Sequence, residues 1–209
     1  MRFLSSILLL SIFTLSCQSQ NSNEERVVGG PCEGCEALLE YGETQLTEVD
    51  TLPEFKTTEP KLKIEGKVYK DDGKTPASDI IIYIYHTNRA GIYPTTGDEK
   101  GWAKRHGYIQ GWVKTDKSGK YEIYTFRPGA YPNRNTPEHI QLTVKEPDTN
   151  PYYIDDIMFE DDPKLTENFI KERPNRAGSG IVQPIMENGM LVVRRNIYLG
   201  RNIPDYNQF

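Results

Sequence analysis

From position 62 onward the chain is a succession of short alternating or apolar runs cut by turn residues. Leu62-Lys-Ile-Glu-Gly-Lys-Val-Tyr69 alternates apolar and polar with a period of two, the mark of a half-buried strand. Asp71-Asp72-Gly73-Lys74 is a turn. Ile80 to Tyr85 (IIIYIY) is β-branched and aromatic throughout and predicts a strand buried on both faces. Gly111 to Thr115 and Tyr121 to Phe126 are strands on either side of Asp116-Lys-Ser-Gly119, a hairpin turn whose Gly119 is able to take positive φ. Arg127-Pro-Gly-Ala-Tyr-Pro132 ends the run, because Pro has no N–H for the ladder. His139 to Val144 and Met190 to Leu199 are further strands, and Pro163 to Lys171 holds a short helix. Short strands, frequent turns and no internal repeat predict an all-β sandwich.

The N-terminus follows a different rule. Met1-Arg2 is a small positive region, and Phe3 to Leu15 is an apolar run too short to span a bilayer, which needs about 20 residues. It reads as a secretory segment. Thr14-Leu15-Ser16-Cys17 resembles the lipobox of bacterial lipoproteins, with Thr14 where that box favours Leu. The expected organisation is a signal segment over 1–17, a lipid anchor on Cys17, a flexible tether over 18–31 and one domain over 32–209. Export to the cell envelope as a lipoprotein, with membrane contact through Cys17, follows from that reading.

Charge narrows the function. The 209 residues carry 25 Lys and Arg against 30 Asp and Glu, a net charge of −5, which argues against nucleic acid as a partner. Cysteine use agrees with export. Cys32 and Cys35 form Cys-Glu-Gly-Cys without a second such pair, so a zinc site lacks ligands, and a local disulfide suits an oxidising compartment. The acidic positions Asp155, Asp156, Glu160, Asp161 and Asp162 lack EF-hand spacing and predict a solvated surface.

Candidate chemistry gathers around one strand. In His139-Ile-Gln-Leu-Thr-Val144, alternation sends Ile140, Leu142 and Val144 to one face and His139, Gln141 and Thr143 to the other. Residues two apart on a strand are roughly 6.6 Å apart, so His139 and Gln141 can converge on one point. Tyr131 lies eight residues upstream on a loop, and Tyr93 follows the IIIYIY strand.

The order of these residues resembles the intradiol ring-cleavage dioxygenases, the protocatechuate and catechol dioxygenase family. YHTNRAGIYP around Tyr93, TDKSGKYEIYTFRPGAYPNR around Tyr131 and PEHIQ around His139 carry the resemblance, over roughly Leu62 to Asp162. It implies a Greek-key β-sandwich with long loops and little helix. It also implies Fe(III) held by two tyrosinates and two imidazoles, a small aromatic diol and O2 as substrates, and insertion of O2 between the hydroxyl-bearing carbons. Carried over by position, Tyr93 and Tyr131 are the phenolate ligands, His139 is the first imidazole, and Tyr131 is the phenol that takes a substrate proton. Related enzymes associate, which leaves a homo-oligomer open.

Two positions depart from that pattern. Gln141 stands where the family has its second His, and Thr136 stands where it has an Arg. Gln141 reaches about as far as imidazole and offers a neutral, hard oxygen, a weaker donor to the ion. His86 or His106 could supply the missing imidazole instead. Arg105, Arg127 and Arg134 are candidates to hold a substrate carboxylate or phenolate, or else to tie down loops. The alternative to an enzyme is a binding module of the same fold at the cell envelope.

Overall fold

A computed structural model describes residues 25–207. The expected signal segment, Cys17 and the first part of the tether lie outside the described residues. In chain order the strands are β1 (Val49–Thr51), β2 (Lys61–Tyr69), β3 (Ile81–Tyr85), β4 (Gln110–Lys114), β5 (Lys120–Phe126), β6 (His139–Lys145), β7 (Tyr152–Tyr153), β8 (Ile157–Phe159), β9 (Ile181–Val182), β10 (Ile185–Glu187), β11 (Met190–Arg194) and β12 (Ile197–Tyr198). Among the described residues, helix is confined to α1 (Ala103–His106), α2 (Glu167–Lys171) and a 3-10 turn at Cys35–Leu39.

Among the described residues the strands form two sheets. One runs β1-β5-β2-β11-β10 with β12 also beside β2, and the other β4-β3-β6-β8-β9 with β7 beside β6. The core lies between them, because each strand turns its apolar alternates inward: Leu62, Ile64 and Val68 from β2, Ile82 and Ile84 from β3, and Ile140, Leu142 and Val144 from β6 join one buried cluster. Each such aliphatic side chain contributes roughly 1.5–3 kcal/mol by leaving water. The protein is therefore an all-β sandwich, as the alternation predicts.

Three local expectations are corrected. The Asp116–Gly119 turn closes as expected, with Asp116 N–H donating to Lys120 O (3.2 Å) and Gly119 N–H to Asp116 O (2.9 Å). Yet β4 pairs with β3 and β5 with β1 and β2, so the turn carries the chain from one sheet to the other and makes no hairpin. The strand expected over Met190–Leu199 divides after Arg194. Arg195 turns inward there and is 2% exposed, its guanidinium donating to the carbonyls of Arg176, Ala177, Gly178 and Asn196. Residues 25–31, expected in the tether, dock on the sandwich: Val28 is buried in the core, Arg26 pairs with Asp148 at 2.9 Å, and Gly29 N–H donates to Pro204 O.

The outer face of the β4-β3-β6 sheet is the one that matters for chemistry. Tyr83 and Tyr85 of β3 point there, opposite Thr143 and Gln141 of β6 in register. The 3-10 turn covers part of this face, Ala37 and Leu38 packing with Tyr83 and Tyr85 in a second apolar cluster.

Candidate metal centre

Two loops bring the tyrosines to this face. Tyr93 sits on the loop after β3, and Tyr131 on the loop between β5 and β6. Asn88 Oδ1 accepts the N–H groups of Ala90 and Ile92 and folds the first loop into a tight turn. Thr87 Oγ1–H donates to Gly129 O (2.7 Å), Gly129 N–H to Asn88 O (3.0 Å), and Arg89 to the carbonyls of Arg127 and Pro128. The loops approach so closely that a Cβ at Gly91 would run into the Ala130 carbonyl and one at Gly129 into the Arg89 carbonyl. Gly91 also has φ +76°, which disfavours any side chain.

The result is one connected polar cluster. Tyr93 Oη lies 2.5 Å from Tyr131 Oη, and Tyr131 Oη lies 3.3 Å from His139 Nε2. His139 Nδ1–H donates to Pro137 O (2.8 Å), so the Nε2 lone pair faces the phenols. Gln141 also belongs to the cluster. Its Nε2 donates to Tyr93 Oη, and its Oε1 accepts from Tyr85 Oη at 2.5 Å. Burial, then the hydrogen bond with Tyr131, pushes the Tyr93 phenol far above the usual value of 10. Burial does the same to Tyr85. Burial also raises the Asp156 carboxyl, with His139 and Arg173 pulling the other way.

This donor set suits a hard trivalent cation. A cation that displaces the phenol protons gains two anionic oxygens and one neutral imidazole, the mixture that ferric iron favours. Among the described residues, no three or more of His, Cys, Asp and Glu gather as a metal site, so a site here draws on tyrosine.

A pocket of about 370 Å³ opens beside the cluster, lined by Tyr85, Tyr93, Tyr131, Gln141, Trp102, His106, Arg105, Glu33 and Tyr153. A second, of about 470 Å³, shares Tyr93 and Tyr131 with it and has Ile92, Pro132 and Arg134 in its walls. A pocket of similar size on the opposite sheet, about 440 Å³ around Glu65, Tyr121 and Arg194, has no phenol–imidazole cluster.

The remaining sequence candidates fall in different places. His106 stacks on Tyr85 at 3.8 Å between ring centroids, and its Nδ1 lies 2.9 Å from Tyr83 Oη. Burial holds its pKa down at about 4, so it stands as a neutral wall of the pocket. Arg105 is at the mouth, paired with Glu33 and lying over Trp102. Arg134 lies 5.5 Å over the Tyr131 ring and has no carboxylate partner among the described residues. Two candidates are not brought to the pocket. His86 is buried between the sheets, Nδ1 donating to Thr87 O (2.7 Å) and Nε2 accepting from Thr125 Oγ1 (2.6 Å). Arg127 ties loops: its Nε donates to Glu138 (2.5 Å) and its two Nη atoms to Asp161 (2.8 Å each), over the Phe159 ring.

Cys32 and Cys35 are bonded to each other. The loop they close supplies Glu33 to the pocket rim and lays Gly34 against the His106 ring. Sequence reasoning missed Tyr85. The signal was present, since Tyr83 and Tyr85 are two apart on a strand and must share a face, and a buried phenol needs a partner.

The dioxygenase family profile matches residues 39–188. The chain is 27% identical over 137 residues to the protocatechuate 3,4-dioxygenase beta chain of Burkholderia cepacia, covering 60% of this chain and 58% of that relative, less than two thirds of its length. Among solved structures, it resembles the dioxygenase domain of a dioxygenase–carbohydrate-binding protein fusion from Streptomyces sp. SirexAA-E, with TM-score 0.57, 17% identity, and coverage of 77% of this chain and 94% of that one. It also resembles mercury-inhibited catechol 1,2-dioxygenase from Acinetobacter sp. ADP1, with TM-score 0.53, 18% identity, and coverage of 74% and 57%. These structural likenesses speak for the fold; the profile, spanning most of the chain, makes it a member of the intradiol ring-cleaving dioxygenase family.

Proposed function

We propose that this protein is a ferric-dependent intradiol dioxygenase that cleaves a small aromatic diol of the catechol type with O2. The observation that carries the reading is the convergence of Tyr93 Oη, Tyr131 Oη and His139 Nε2, from two loops and a strand, within 2.5 and 3.3 Å steps. Tyr93, Tyr131 and His139 would hold the ion. When bound, it supplies Lewis acidity and a redox route between a catechol ring and O2.

The chain's own residues supply the rest. Tyr131 is half-buried at the junction of the two pockets, where its oxygen can take a proton from an incoming diol. Tyr85, Trp102 and Tyr153 give the pocket aromatic walls suited to a flat ring. Arg134 supplies a cation at the second pocket for the charge of a ring substituent or product carboxylate. His106 is neutral, so it adds no charge against a bound cation.

The test is ferric loading followed by absorption spectroscopy, metal analysis and oxygen uptake. One ion per chain, a reddish tyrosinate-to-ferric band, and O2 consumption with catechols yielding a muconate-type diacid are expected. A colourless protein after loading sinks the ligand set. A coloured protein that consumes no O2 with catechols leaves a binding module.

The proposed location is the cell envelope, through a lipid on Cys17. The Cys32–Cys35 bond is in keeping with an oxidising compartment. Cys17→Ala is expected to move the protein from the membrane fraction to the soluble one, and unchanged partition counts against the anchor.

A further inference from the structure

Gln141 stands at a ligand position of the family, yet both ends of its amide are already engaged. Tyr85 and Gln141 are cross-strand partners on β3 and β6, with Tyr85 Oη 2.5 Å from Gln141 Oε1. The other end of the amide, Nε2, donates to Tyr93 Oη. With the His139 ring neutral, hydrogen-bond accounting gives one direction along the cluster. His139 Nδ1–H is spent on Pro137 O, so Nε2 is an acceptor and takes the Tyr131 hydrogen. The Tyr131 oxygen takes the Tyr93 hydrogen at 2.5 Å, and the Tyr93 oxygen takes the Gln141 N–H. Gln141 Oε1 in turn takes the Tyr85 hydrogen. Both ends of the Gln141 amide thus meet a phenol, which is the pattern that assigns an amide's orientation.

The consequence for a bound cation is specific. The hydrogens it displaces are those of Tyr93 and Tyr131, which lie inside the row. The Gln141 N–H is not displaced. It stays aimed at the Tyr93 oxygen, where a donor strengthens once that oxygen carries charge. Turned over, the amide would set its oxygen against the Tyr93 oxygen, two lone pairs in contact.

We propose that Gln141 is a positioning residue and not a ligand: with its amide fixed by Tyr85, it donates to the Tyr93 oxygen and leaves the ferric centre with three protein donors, Tyr93, Tyr131 and His139. This rests on the ferric reading above. Tyr85 thereby becomes part of the centre without touching the ion. The family's fourth donor is replaced by a hydrogen bond to one of the remaining three.

The test uses the full chain loaded with ferric ion against a competing chelator, with absorption read alongside. Gln141→Glu exchanges the N–H donor for an anionic oxygen. The proposal expects ferric binding at least tenfold weaker, because two anions then face each other; a ligand role expects tighter binding, since carboxylate is a harder donor than amide. Tyr85→Phe keeps the ring and removes the anchor. It is expected to keep one ion per chain and shift the tyrosinate charge-transfer band to longer wavelength. Tighter binding in Gln141→Glu, or an unmoved band in Tyr85→Phe, overturns the proposal. Metal-free protein separates this from failure of the ferric reading. The side-chain NH2 resonances of Gln141 are expected to move in Tyr93→Phe and in Tyr85→Phe whether or not iron binds; resonances that stay put overturn the row itself. Wild type that takes up no ferric ion overturns the three-donor centre together with the ferric reading.

Discussion

The phenol oxygens of Tyr93 and Tyr131 lie 2.5 Å apart although 38 residues separate them along the chain. Such an approach brings two acceptors together around one hydrogen, and it is the arrangement a trivalent cation would exploit by displacing both phenol protons. Tyr93→Phe and Tyr131→Phe each remove one anionic oxygen and leave the ring packing in place. Each is expected to weaken ferric binding by more than about 100-fold, beyond the roughly 10–100-fold that outer-shell changes give. Chelator competition measures it, and wild-type affinity in either variant means that the pair does not bind the ion.

Ferric uptake should also be coupled to pH. Burial and Tyr131 push the Tyr93 phenol above its usual range, so at ordinary pH the free protein holds that proton. A cation must displace it, and acid opposes the displacement. Apparent affinity is expected to fall by about tenfold per pH unit for each proton released. A pH-stat titration counts the protons directly; uptake without proton release contradicts phenolate ligation.

Gly91→Ala tests how the loops set the centre. The new Cβ meets the Ala130 carbonyl, and φ +76° is strained for any residue with a side chain. A destabilisation of about 1–3 kcal/mol is expected, with Tyr93 displaced from Tyr131. Thermal unfolding and the charge-transfer band should change together. A full-strength band in a destabilised variant would mean that the tyrosines hold their places without this close approach.

Much of this was legible in the sequence, for identifiable reasons. Strand alternation depends only on local burial, so β2, β3 and β6 and the inward Ile140, Leu142 and Val144 could be read directly. The Asp116 turn was legible as a turn, because its bonds are local. That it joins two sheets was not, since turn chemistry says nothing about partners. Tyr85 was hidden by its run: six apolar or aromatic residues look buried on both faces, and its phenol matters only through Gln141, 56 residues on. His86 and Arg127 misled because residue type does not reveal whether a partner waits nearby, and both have partners of their own.

Arg127 supports structure, and the consequence can be measured. Its guanidinium satisfies Glu138 and Asp161 at once, and its side chain is 14% exposed. Glu138 precedes His139, so the clamp holds the start of β6. Arg127→Ala leaves the half-buried Glu138 with only Arg89, 4.0 Å away, at an expected cost of about 1–3 kcal/mol. Urea unfolding should show that loss while the apparent KM for a catechol stays within about twofold. A large rise in KM at unchanged stability would return Arg127 to the substrate.

His86 gives the metal-free fold a dependence on pH. Burial lowers its pKa from 6.5 to about 4, and both ring nitrogens are satisfied in the neutral form. Between those values the unfolded chain binds the proton and the folded chain does not, so stability rises with pH across that window. The contribution is complete above about pH 6.5 and is lost as pH falls toward 4. Its size is about 3 kcal/mol at most, from roughly 1.4 kcal/mol per pH unit. His86→Gln keeps a donor and an acceptor but cannot titrate. Urea midpoints from pH 7 to pH 4 should fall less steeply in that variant than in wild type, and the difference isolates His86 because His106 titrates in both. Identical slopes would mean that His86 is charged in the folded protein, against the geometry of its Thr125 bond.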